Sequence, residues 1–453
     1  MNCSTICDKV IRPVAGEPRH DLDLGENGHM ENASPSARRR LPLVAAAALT
    51  ALLALAIVLT AGGGSVTAAG PTGQSVIVLI GDGMGPAQRT LTQLTRYGPY
   101  ATQPMDSLDV AGSLTTLPFG KPGATDSAAS ATAMATGEKT RNNYAGVGPS
   151  GNRLRTLLEI ARDEGKSTGL VEDNDVTNAT MAGFAAHVDS RGKKQRIAQQ
   201  FLHDTKPDVI LGGGEQYWYE KGERGKVSDL LPDDKSRGRR DLVGEAQDLG
   251  YDYAYDAETL AAADGPKILG LVRQDPIILS LISDYDPAED PSYVAEEDLV
   301  DKALDTLGEN PNGFFLAIDV DEIDDGGHAT AANLVMKAGQ QLNRIVKVIE
   351  AYREENPNVL VIVTADHETG GLTIEDPRDS KTKVMGEEIP AKWWHGPFKV
   401  KGTDNKISTD WTTAEHTSVA VPVTASGPLA GQFAGTHDNT HLFDVAQQVL
   451  TAP

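Results

Sequence analysis

Three short runs of this chain are continuously apolar, β-branched or aromatic: Val76-Ile77-Val78-Leu79-Ile80, Phe314-Phe315-Leu316-Ala317-Ile318 and Val359-Leu360-Val361-Ile362-Val363. A strand that is apolar on both faces must be covered on both, as in a parallel sheet with helices on each side. Amphipathic patterns around the runs predict such helices at 154–164, 193–203, 295–307 and 331–355. The fold class implied is α/β, one domain over residues 71–453. The stretch 215–300 is rich in charge, Tyr, Asp and Pro, and reads as a peripheral insertion.

Each apolar run ends in an aspartate. Asp82 follows the first in Gly81-Asp82-Gly83-Met84-Gly85, Asp319 follows the second, and Asp366 closes Thr364-Ala365-Asp366-His367. One such aspartate is ordinarily a turn or a helix cap. Three of them at the carboxyl ends of parallel strands, where open sheets build their sites, would repel one another unless cations sat between them. Asp324 and His328 lie four residues apart just past the second run, on one face if the stretch is helical. His416 is a candidate third imidazole, although a lone histidine is usually a surface residue. Both cysteines, Cys3 and Cys7, precede residue 70, so the body has no disulfide and no thiolate metal site. Oxygen and nitrogen ligands without sulfur suit zinc, with a harder ion such as magnesium on an all-oxygen side.

Thr125-Asp126-Ser127-Ala128-Ala129 reads first as a helix start, with Thr125 or Asp126 as the cap. The same geometry puts Ser127 at the positive end of a helix dipole, among N–H groups that attract anions. No histidine lies close in sequence to serve as its base, and a metal-activated hydroxyl needs none. Arg191 by itself is one surface cation among many.

The chain carries 64 acidic and 41 basic residues, a formal charge of −23, and the signs balance within the first 70 residues. A body so acidic repels nucleic-acid backbones and anionic lipid and excludes both as bulk partners. An anionic substrate has to be drawn in locally, by metal ions or arginine. Residues 1–70 read as an address: a polar segment ending in Arg38-Arg39-Arg40, an uncharged run from Leu43 to Thr60, then small residues. That is the order of an export signal, with a retained membrane anchor as the alternative because the run approaches the length of a membrane span. Basic residues before the run and none after it put the body outside the cytoplasm, secreted or held at the cell surface. Membrane contact is expected only through residues 43–60, if they are not cleaved off.

Six motifs together resemble the alkaline phosphatase family. They are Gly81-Asp82-Gly83-Met84-Gly85, Thr125-Asp126-Ser127-Ala128-Ala129, Asn178-Ala179-Thr180 through His187 to Arg191, Ile323-Asp324 to His328, Thr364-Ala365-Asp366-His367-Glu368-Thr369-Gly370-Gly371, and Glu415-His416-Thr417. They stand in family order over about residues 80–420. The resemblance implies a three-layer α/β/α sandwich with a largely parallel central sheet, and hydrolysis of small-molecule phosphate monoesters over a broad range. It implies that Asp324, His328 and His416 hold one zinc, and that Asp82, Ser127, Asp366 and His367 surround a second. Asp82 and Thr180, with Asp319, would reach a magnesium. Ser127 would form a phosphoserine while Arg191 clamps two phosphate oxygens. A homodimer is allowed, with no interface legible.

The chain departs from the family at the third ion. A glutamate usually stands where Asp319 does, Asp or His where Asn178 does, and Lys, His or Trp where Asp325 does. The expectation is a magnesium held less tightly, or another hard cation such as calcium in its place. Two other readings are weighed. One is a phosphodiesterase of the same superfamily; the other is an exported phosphate- or metal-binding protein without activity, which would require a missing nucleophile or ligand, and none is missing. A sulfatase needs Pro and Arg shortly after the nucleophile, and Ser127 is followed by Ala128-Ala129-Ser130-Ala131.

Overall fold

The computed structural model describes residues 73–120, 123–223, 225–227, 238–272, 290–377, 383–384, 387–388 and 395–452. The N-terminal address, the pair Trp393-Trp394 and part of 215–300 lie outside the described residues.

Among the described residues the central sheet has ten strands. Its strands are β1 (Ser75–Gly81), β2 (Val110–Thr115), β3 (Ser167–Asp175), β4 (Val209–Gly213), β5 (Asp252–Ala254), β6 (Ile268–Leu271), β7 (Phe314–Val320), β8 (Val359–Thr364), β9 (Val421–Ser426) and β10 (Gly435–Asp438). The order across the sheet is β10-β2-β9-β8-β1-β7-β3-β4-β6-β5. Only β9 runs against its neighbours; every other adjacent pair is parallel. The three apolar runs are β1, β7 and β8, side by side at the middle with every residue buried. Each Val, Leu, Ile or Phe buried there contributes about 1.5–3 kcal/mol, which favours central positions for these runs.

Helices cover both faces. Successive strand residues point to opposite sides, and Phe314 meets Tyr352 with ring centroids 5.9 Å apart while Phe315 meets Phe184, also at 5.9 Å. The helices that matter for the site are α1 (Ser127–Thr136), α2 (Leu157–Asp163), α3 (Ala179–Ala185), α4 (Lys194–Gln200), α5 (Glu296–Gly308), α6 (Glu322–His328) and α7 (Ala332–Glu355). Four of these are the helices expected from periodicity. The architecture is the α/β/α sandwich that the resemblance implied.

The described part of 215–300 lies at one end of the sheet. β5 and β6 extend the sheet to its far edge, and Trp218, Leu242 and Leu269 are fully buried. Its apolar pieces are only a few residues long and sit among charged surroundings. Among the described residues no helix is long and apolar enough to cross a membrane.

A buried carboxylate anchors the loops beside the site. Thr156 caps α2 and Glu159 completes a capping box with it. Glu159 also bonds Arg153 and approaches His187 Nε2 at 3.4 Å, on the segment that leads to Arg191. Burial works against the Glu159 charge, but the bonds from His187, Arg153 and the Thr156 amide outweigh it and bring its pKa to about 2. A carboxyl held lower in the folded state stabilises above its unfolded pKa, and this is lost as pH falls toward the folded value. Glu159→Gln is therefore expected to cost on the order of 2 kcal/mol at pH 7, allowing for solvent around Arg153. Urea unfolding of metal-stripped protein should show the deficit shrinking once pH drops below about 4.5.

Candidate active site

All the aspartates and histidines singled out from the sequence gather at the carboxyl edge of β1, β7 and β8. Asp82 follows β1 directly, Asp319 is the penultimate residue of β7, and Asp366 stands two residues beyond β8. Gly83 has φ +72°, and a Cβ there would lie 2.8 Å from the Asp324 Cα. The turn therefore requires glycine, and it lets the Gly83 N–H donate to Asp366 Oδ1 at 3.1 Å. Asp324 and His328 do share a helix, α6, with His328 Nε2 3.2 Å from Asp324 Oδ2.

The imidazoles are oriented by backbone carbonyls. His328 Nδ1 lies 2.6 Å from the Ala414 carbonyl and His416 Nδ1 lies 2.8 Å from that of Thr125. With the proton on Nδ1, each ring turns Nε2 inward, and the two Nε2 atoms face each other at 3.0 Å. His416 Nε2 is also 3.7 Å from Asp324 Oδ1, and the His416 ring stacks on His367 with centroids 3.6 Å apart. His367 Nε2 points at Asp366 Oδ2 (3.0 Å) and Asp82 Oδ1 (3.5 Å).

Ser127 is the first residue of α1, and Asp126 is the cap, accepting from the Ala129 N–H at 3.0 Å. Its Oγ lies 3.3 Å from His367 Nε2 and 3.5 Å from Arg191 Nη1. The alanines of α1 have a packing reason: a Cβ on Gly183 of α3 would fall 2.6 Å from the Ala131 Cβ. That close approach sets α3, and with it Thr180, beside the nucleophile candidate. Thr180 Oγ1 donates to Asp82 Oδ2 at 3.2 Å and gives Asp319 only a weaker contact. Arg191 is steered by Asn178 Oδ1 (3.4 Å) and Asp126 Oδ2 (3.7 Å).

The electrostatics fit divalent cations. Asp82, Asp319 and Asp366 are fully buried. Asp82 Oδ1, Asp366 Oδ2 and both Asp319 oxygens accept no hydrogen bond among the described residues. Native interiors rarely leave such atoms orphaned, whereas carboxylate oxygens that serve a cation need no protein donor. Burial first, then neighbouring carboxylates (Asp366 foremost), push Asp82 well above the usual carboxylate range. Burial and Asp324 likewise lift Asp366 to about 6. Burial and then His416 hold His367 well below the usual imidazole range, favouring the neutral ring that coordinates metal. Three groups have ligand atoms within 4.8 Å of one another: Asp324-His367-His416, Asp82-Asp366-His367 and Asp82-Asp321-Asp324. The two groups that include imidazole suit zinc and the all-oxygen group a harder ion, while Asp319 and His328 fall in none of the three.

A family model described as alkaline phosphatase matches residues 73–395. The chain belongs to the alkaline phosphatase family. Alkaline phosphatase 4 of Bacillus subtilis (strain 168) is 30% identical over 431 residues, covering 83% of this chain and 88% of that protein. Streptomycin-6-phosphate phosphatase of Streptomyces griseus is 32% identical over 462 residues, covering 91% and 98%. Among solved structures, a variant of TAB5 alkaline phosphatase with magnesium bound in its M3 site superposes with a TM-score of 0.66 at 25% identity, covering 84% of this chain and 99% of that one. The chain is accordingly a phosphatase, acting on small phosphate esters.

Within this alkaline phosphatase the structure also brings in residues that sequence reasoning did not single out. Glu368 accepts from Gln88 Nε2 (2.6 Å), from the Gly371 and Leu372 amides (each 3.2 Å) and from Thr417, tying the His367 loop to the His416 strand. The Thr369 hydroxyl bridges Asp324 and His367. Lys194 Nζ lies 3.0 Å from Asn178 Oδ1, a second cation beside Arg191. Glu368 and Thr369 sit inside a quoted motif and were legible in principle; Lys194 carries no mark that separates it from other lysines.

Proposed function

We propose that this chain hydrolyses phosphate monoesters by way of a phosphoserine on Ser127, with two zinc ions and a third, harder cation. The observation that carries the proposal is the Ser127 hydroxyl at a helix N-terminus, between Arg191 and a pocket of orphaned buried carboxylates. Asp324, His328 and His416 would hold one zinc, and Asp82, Asp366 and His367 the other, with Ser127 facing it. Asp82, Thr180 and Asp319 would hold magnesium, a reading supported by the magnesium in the TAB5 variant. Bound cations supply Lewis acidity: they favour the ionised hydroxyl, neutralise phosphate charge and stabilise the departing alkoxide.

The protein's own part is positioning. The first turn of α1 aims the Ser127 oxygen and its amides at the phosphorus, while the planar fork of Arg191 holds two non-bridging oxygens. The serine oxygen bonds to phosphorus as the bond to the alcohol breaks. Water then attacks the phosphoserine, releasing inorganic phosphate and restoring the hydroxyl. Little of this machinery touches the alcohol, so the substrate range should be broad. Arg191→Ala should raise KM for p-nitrophenyl phosphate by about 10- to 100-fold, the worth of two charge-assisted hydrogen bonds.

The deciding assay compares p-nitrophenyl phosphate with its bis ester across pH, with and without chelator. Faster, chelator-sensitive turnover of the monoester supports the proposal, and faster turnover of the diester would replace it with a phosphodiesterase. The proposal includes export directed by residues 1–70. N-terminal sequencing of the protein recovered outside the cytoplasm tests cleavage against retention of residues 43–60.

A further inference from the structure

We propose that Glu172 is a ligand of the hard-cation subsite, closing with Asp82, Thr180 and Asp319 an oxygen cage that the short Asp319 side chain leaves incomplete. The inference rests on the metal-dependent reading above.

Three observations converge on Glu172. The first is register: Glu172 on β3 pairs with Asp319 on β7. In a parallel pair, opposed residues project from the same face, so the two carboxyls are neighbours. The second is which face this is. Phe315 precedes Asp319 by four residues and shares its face, and Phe315 packs on Phe184 of α3. Thr180 stands one turn before Phe184 on that same helix, so Thr180, Asp319 and Glu172 lie under one cover. Thr180 in turn bonds Asp82. The third observation is isolation. Glu172 is fully buried, and neither of its carboxyl oxygens has a hydrogen-bond partner among the described residues. No lysine or arginine pairs with it there either. A carboxylate placed so, beside a second one equally orphaned, must either take up a proton or share a cation with it.

The register also answers a question raised by the sequence. Aspartate at 319 is one methylene shorter than the glutamate usual in the family and would draw back from a shared ion. Glu172 reaches from the adjacent strand with the longer side chain. Hard cations of this kind take six or more oxygens, and a carboxylate from either of two neighbouring strands can serve.

The test uses the full chain loaded with zinc, as wild type and as Glu172→Gln, a near-isosteric change that removes the charge and exchanges one ligand oxygen for an amide nitrogen. Magnesium is titrated calorimetrically, bound zinc and magnesium are counted after dialysis, and thermal midpoints are recorded with magnesium and with chelator. The expected result is a magnesium Kd raised about tenfold or more, with zinc content unchanged. With chelator the variant should be as stable as wild type or more so, because a buried uncompensated carboxyl has gone; with magnesium it should gain less. Equal magnesium affinity in the two proteins would overturn the proposal. So would a loss of stability of the same size with and without magnesium, which marks a purely structural role. Wild type taking up no third cation would overturn it too, while Ser127-dependent hydrolysis in that same protein would leave the phosphoserine route and the two zinc ions of the proposed function standing. Should the glutamine variant fail to fold, Glu172→Asp keeps the charge, shortens the reach and serves the same comparison.

Discussion

Ser127→Ala lowers kcat for p-nitrophenyl phosphate by about 1,000-fold or more while zinc content and thermal midpoint stay at wild-type values. The size follows from what the hydroxyl does: without it no phosphoserine forms, and only positioning and charge stabilisation of direct water attack remain. The specificity of the effect follows from the helix. Asp126, not Ser127, caps α1, and the residues that follow are Ala128 and Ala129, so alanine at 127 continues a run the helix already tolerates. Removing Oγ leaves Asp82, Asp366 and His367 with the same mutual distances. Steady-state kinetics beside metal analysis checks the outcome, and acid-quenched trapping of labelled phosphate on the wild type, absent in the variant, checks the intermediate. A variant within about tenfold of wild type would sink the covalent route and leave the metal pocket to be explained as an activator of water.

The parts of this site legible in the sequence are those whose chemistry repeats a local signal. β1, β7 and β8 announce themselves because burial on both faces demands unbroken apolar residues, and an aspartate at or beyond each strand end is visible without any fold. Asp324 and His328 carry the helical spacing of four. What the sequence hides is convergence across distance. Ser127 and His367 are 240 positions apart, yet Oγ and Nε2 lie 3.3 Å from each other, and only the order of strands across the sheet makes them neighbours. The same holds for Glu172, one acid among several in the polar second half of β3 until its register with Asp319 is known. The short strands β5, at the sheet edge, and β6, next to it, are hidden for a different reason: three and four residues are too few for periodicity to register.

Removal of divalent cations abolishes hydrolysis and lowers the thermal midpoint by on the order of 10 °C, and both return when zinc and magnesium are restored. Activity disappears because no side chain among the described residues replaces the cations: the imidazole hydrogen-bonded to Ser127 there, that of His367, shares its Nε2 with Asp82 and Asp366. Stability falls because Asp82, Asp319, Asp324 and Asp366 share one buried pocket, and Asp82, Asp319 and Asp366 have oxygens that accept no hydrogen bond there. Without an ion they must repel or take up protons, and each binding site filled at about a thousand times its Kd adds roughly 4 kcal/mol to the folded state. Coordination requires deprotonated carboxylates and neutral imidazoles, so the gap between loaded and stripped protein should widen from pH 6 to 8, about the range in which ligand protons are lost. Differential scanning calorimetry with and without chelator, at several pH values, measures this directly. A midpoint unmoved by chelator, in protein shown by elemental analysis to have lost its metal, would mean that the carboxylates are neutralised by the fold itself and that the pocket was never built around ions.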